Sequence, residues 1–72
     1  MEWEPSESDK AWTRNLAERL NNGGVWMVPA NGSIWRIYRD DHRAELTHKG
    51  FDQELTDRIA KSFHSIGYSV KV

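Results

Sequence analysis

The chain has 72 residues, with four Trp, two Tyr, two Phe, no Cys and a formal net charge of −1. A chain this short makes one small domain that buries only about 60% of its unfolded surface, so single large side chains carry much of the core. It has no cysteine to form a disulfide, a thiolate metal site or a catalytic thiol, and no run of about 18 apolar residues to span a membrane.

The charge is uneven. Residues 1–9 carry Glu2, Glu4, Glu7 and Asp9, while residues 10–72 carry ten Lys/Arg against seven Asp/Glu. The acidic start is unlike a signal peptide, and the absence of cysteine fits a cytoplasmic location. The mild basicity of the body does not by itself point to nucleic acid. We expect a single domain over residues 1–72, with 1–7 a flexible acidic leader from which Trp3 can pack back.

Pro5-Ser6-Glu7-Ser8-Asp9 opens a first helix. Ser6 and Asp9 have capping-box spacing, with Asp where Glu is usual, and Ser8 is a second N-cap candidate. Trp12, Leu16 and Leu20 recur at i, i+4 and i+8 beside Ala17, which makes one apolar stripe. Asn21-Asn22-Gly23-Gly24 ends the helix, with glycine supplying a left-handed cap.

The stretch from Val25 to Arg39 reads as a β-hairpin closed by Asn31-Gly32, the pair best suited to a type I′ turn. A two-residue tip sets Ala30 opposite Ser33, Val28 opposite Trp35 and Trp26 opposite Ile37. One face then carries Trp26, Val28, Trp35 and Ile37, and the other Val25, Met27, Ile34, Arg36 and Tyr38. Asp40-Asp41-His42 is a turn. Arg43–Thr47 is a short, weak third strand with Ala44 and Leu46 on one side. A second helix over Phe51–Ser65 has the stripe Phe51, Leu55, Ile59 and Phe63, with Asp52 and Glu54 early and Lys61 and His64 late, as the helix dipole favours. Gly67 caps it, and Tyr68–Val72 alternates as a last strand.

Two single-striped helices are both buried only if they share one face of a sheet. The fold class is therefore α+β: a two-layer sandwich, order α-β-β-β-α-β, with two helices packed on one face of a mostly antiparallel three- to four-stranded sheet. Trp26, Val28, Trp35 and Ile37 form the more uniformly apolar hairpin face, so they belong inside with Tyr68, Val70 and Val72. The remaining hairpin face looks outward.

Catalytic chemistry has no foothold in the sequence. His42, His48 and His64 lack metal-ligand spacing, and Asp40-Asp41 lies at a hydrated turn. Ser62, Ser65 and Ser69 have no base and orienting group, and Gly23-Gly24 ends a helix rather than opening one. We expect no enzyme activity, no cofactor and no metal. The candidate partner-binding residues are Val25, Met27, Ile34, Arg36, Tyr38, Arg39 and Arg43. Met adapts its shape, Tyr gives rigid amphipathic area and Arg gives planar hydrogen bonding, all of which are enriched in interface cores.

Arg36, Tyr38, Arg39 and Arg43 also mix cations with an aromatic ring, as single-stranded nucleic-acid binders do. The first five elements follow the order of a double-stranded-RNA-binding domain. That family carries a lysine-rich start to its second helix, whereas this chain has Phe51-Asp52-Gln53-Glu54, whose acids repel phosphate. The polar helix ending in Asn-Gly-Gly, the run Val25-Trp26-Met27-Val28-Pro29, the glycine turn and the closing Ser65-Ile66-Gly67-Tyr68-Ser69-Val70 together resemble small accessory proteins of tailed bacteriophages. That resemblance implies an inhibitor or adaptor acting on a host macromolecule such as RNA polymerase, a nuclease or a defence complex. The leading expectation is a non-enzymatic protein-binding module, monomeric or homodimeric, with a host protein as partner. In this reading the acidic leader adds long-range attraction to a basic groove on that partner. The alternatives are a small nucleic-acid-binding domain and a homo-oligomer paired through the third or the C-terminal strand.

Overall fold

The computed structural model describes residues 2–72. Helix α1 (Glu7–Arg19) is followed by β1 (Gly24–Met27), β2 (Ile34–Tyr38), a 3-10 turn (Arg39–Asp41), β3 (Arg43–His48), α2 (Gln53–Ser65) and β4 (Ser69–Lys71). The sheet order is β1-β2-β3-β4, antiparallel except for the parallel β3–β4 pair. This is the two-layer α+β arrangement expected from the single-striped helices.

Ser6 caps α1 through a full capping box. Its hydroxyl accepts from the Asp9 N–H at 3.1 Å, and its own N–H donates to Asp9 Oδ2 at 2.9 Å. The inward face of α1 differs from the expected stripe. Thr13 and Ala17 are buried, Leu16 and Leu20 are half-buried, and Trp12 is 55% exposed. Small residues let α1 approach α2 closely, and the Thr13 hydroxyl is satisfied by donating to the Asp9 carbonyl at 2.7 Å. Helix α2 begins later than expected. Asp52 is its N-cap and accepts from the Leu55 N–H, so Phe51 lies ahead of the helix and is 80% exposed. Ile59 and Phe63 stay in the core, as the periodicity requires.

The hairpin register is corrected by two residues. Trp26 faces Trp35, Met27 faces Ile34 and Val25 faces Arg36. Side chains alternate with period two, so this shift preserves both faces. Trp35, Ile37 and Val28 are buried and Trp26 packs against them, while Arg36 is exposed. The cause is Asn31. It does not sit at a turn tip with positive φ; of the pair, only Gly32 does (φ 69°). Instead Asn31 is wholly buried in a wider loop closed by the Val28 N–H donating to the Ser33 carbonyl at 2.8 Å.

Further corrections concern β3, β4 and Val72. The third strand is not a weak edge. It spans six residues, pairs on both sides and buries Ala44, so the free edges are β1 and β4. A bulge at Thr47 shifts its register, and the Thr47 hydroxyl donates to the Ile34 carbonyl at 3.0 Å. Tyr68 is buried and Val70 half-buried, but Val72 follows the end of β4 and is exposed. An aromatic chain threads the core: Trp12–Trp26 at 5.6 Å, Trp26–Phe63 at 6.2 Å, Phe63–Trp35 at 6.1 Å and Phe63–Tyr68 at 5.5 Å.

Candidate functional site

Both helices lie on one face of the sheet, which leaves the other without a covering element. Strand alternation displays Val25 and Met27 from β1, Ile34, Arg36 and Tyr38 from β2, Arg43 and Glu45 from β3, and Ser69 and Lys71 from β4. Cross-strand pairing arranges them in rows. Met27 beside Ile34 makes an apolar corner, and Val25, Arg36, Glu45 and Lys71 run across all four strands. Met27 is 60% and Val25 54% exposed.

The expected partner-binding residues separate into two kinds. Val25, Met27, Ile34 and Arg36 form a contiguous surface, and among the described residues Arg36 has no carboxylate within ion-pair distance. Tyr38 and Arg43 support each other. The Arg43 guanidinium lies 4.1 Å from the Tyr38 ring centre, and the ring covers Gly23, where a Cβ would come within 3.4 Å of it. Arg43 Nε sits 3.0 Å from Glu45 Oε2 but lacks the alignment of a hydrogen bond, so the pair is ionic rather than hydrogen-bonded. Arg39 leaves the face altogether. Its guanidinium donates to the carbonyls of Glu18 and Leu20 at 3.1 and 3.3 Å and so completes the C-terminal end of α1.

A second concavity was not anticipated. A groove of about 390 Å³ opens on the helix side, lined by Trp3, Trp12 and Trp26 with Asp9 and Arg58 among its polar groups. Trp3 reaches it from the segment before α1, which lies against α2. Lys61 Nζ is 3.4 Å from the Trp3 carbonyl and 3.5 Å from Glu2, and the Arg58 guanidinium is 5.4 Å from the Trp3 ring centre. The available signal was a tryptophan inside an acidic leader together with one on a polar helix.

Among the described residues, no three His, Asp or Glu side chains gather into a metal-binding set. No described helix is long and apolar enough to cross a membrane. Comparison with known proteins found no matching family model, curated protein or solved structure.

Proposed function

We propose that this chain is a non-enzymatic protein-binding module that works through its bare sheet face. Met27, Val25 and Ile34 would seat an apolar group of the partner, and Arg36 would pair with an acidic one beside it. The observation that carries this reading is the exposure of Val25 and Met27 next to an arginine without an intramolecular partner. Met and Arg at an uncovered surface are typical of interface cores. The basic and aromatic groups that would favour nucleic acid are divided between the sheet face and the end of α1, which favours a protein partner. Combined with the phage resemblance, the reading becomes an inhibitor or adaptor that occludes a host macromolecule in the host cytoplasm.

The test is site-specific photo-cross-linking. A cross-linker at Met27 or Arg36 should capture one and the same partner, while one at Glu18, toward the C-terminal end of α1, should not capture it. Met27→Asp combined with Arg36→Glu should weaken binding to that partner at least about a hundredfold, as expected for two interface hot spots. Capture of that same partner that survives the double change would refute the sheet-face assignment.

A further inference from the structure

We infer that the groove between α1, α2 and β1 receives a methylated ammonium group, presented on the alkyl stem of a partner protein's lysine side chain. Three tryptophans from three separate segments line it: Trp3 from the residues before α1, Trp12 from α1 and Trp26 from β1. Tryptophan faces bind cations better than those of the other aromatic side chains. Methyl groups on the ammonium remove the N–H donors that an apolar slot would leave unsatisfied. The chain's own Arg58 lies over Trp3 and is paired with Glu54, so a ligand ammonium takes that indole face by displacing Arg58 toward Glu54.

The charges around the groove point the same way. Lys10 is paired with Glu7 at 3.5 Å, Arg58 with Glu54 at 2.8 Å and Lys61 with Glu2 at 3.5 Å. Among the described residues Asp9, on the groove wall, has no such ion-pair partner. Hydrogen bonds from the Ser6 backbone and hydroxyl hold the Asp9 carboxyl below its ordinary pKa, so it is charged at neutral pH. Val28, Ile59 and Phe63 give an apolar lining for an alkyl stem. The volume is at the small end of the ligand-pocket range of about 300–1,000 Å³, which suits a single side-chain head. The Asp9 carboxylate on the groove wall would oppose the phosphate of a phosphocholine lipid, which favours a lysine stem as the carrier.

The experiment titrates the whole chain with a short trimethyllysine peptide. Controls are the same peptide with unmodified lysine, or with the neutral tert-butyl isostere. The trimethyllysine peptide should shift the indole N–H resonances of Trp3, Trp12 and Trp26 and bind about tenfold more tightly than either control. Trp12→Leu should weaken it about tenfold, and Trp3→Leu, outside both helices, gives a second variant that leaves the helical core intact. Phosphocholine should bind more weakly than tetramethylammonium. Equal binding of the isostere would reduce the groove to an apolar slot and overturn the inference. So would phosphocholine binding as tightly as tetramethylammonium, or unmoved indole signals at millimolar peptide.

Discussion

The Asn31 side chain joins two parts of the chain. Its Nδ2 donates to the Asp52 carbonyl at 3.1 Å and to Thr56 Oγ1 at 3.0 Å, while Oδ1 accepts from the Ser33 N–H at 3.0 Å and the Ser33 hydroxyl at 2.7 Å. The Ser33 hydroxyl in turn accepts from the Trp35 indole at 3.2 Å. The hairpin loop is thereby fastened to the start of α2. Gly50 passes so close that a Cβ there would collide with the Asn31 carbonyl. Asn31→Ala leaves the buried Ser33 donors without an acceptor, so it should lower stability by about 2–4 kcal/mol in urea unfolding. Asn22 makes one exposed contact, accepting from the Asp40 N–H at 3.1 Å, so Asn22→Ala should stay within about 0.5 kcal/mol. Similar losses for the two variants would show that Asn31 is not the hub. The Asn-Gly pair was legible as a chain reversal. Its type was not, because asparagine serves equally as a left-handed turn residue and as a buried bridging amide. Only the tertiary partners Asp52 and Thr56 decide between these roles.

The two helices show how far periodicity carries. In α2 the expected positions Ile59 and Phe63 are core, because aliphatic and aromatic residues alternate there with strongly polar ones. In α1 the stripe was displaced by one position, since Thr13 and Ala17 offer a flat surface for close packing that hydrophobicity does not register. The capping box was legible because it is local, and it has a pH consequence. Bonds from the Ser6 backbone and then its hydroxyl lower the Asp9 pKa below the ordinary value, so the folded state holds that proton less tightly than the unfolded state. The contribution of the box is therefore complete above the unfolded pKa and is lost as pH falls through the folded one. Ser6→Ala removes one of the two donors. The Asp9 carboxyl should then titrate at a higher pH in side-chain NMR, and first-turn amides of α1 should exchange faster at neutral pH. An unchanged titration would mean that the backbone N–H alone sets the shift. The parallel β3–β4 pair was not legible. Strand order depends on where α2 returns the chain, and here it brings β4 beside β3 with Val70 packed against the core.

At the scale of the whole molecule, the proposed reading has the bare face meet another protein rather than a copy of itself. The extents are 33 × 25 × 19 Å, so a contact of ordinary stability, about 800 Å² per partner, would occupy most of this face. The apolar corner of Val25, Met27 and Ile34 is only part of that area, and the rest is charged. A two-fold pairing sets the same surface against itself. It would bring Arg36, Arg43 and Lys71 of both copies together with only one Glu45 from each to offset them. Like charges facing one another at an interface cost several kcal/mol. On the proposed reading the same array would attract a partner that presents carboxylates around an apolar group. Sedimentation at tens of micromolar protein and low salt should therefore find a monomer. Salt should increase self-association by screening that repulsion, while weakening the complex with an acidic partner. Arg36→Glu should act as salt does on self-association, because it balances the face. A dimer at low micromolar concentration and low salt, dispersed by Met27→Asp, would instead assign the surface to a second copy of this chain.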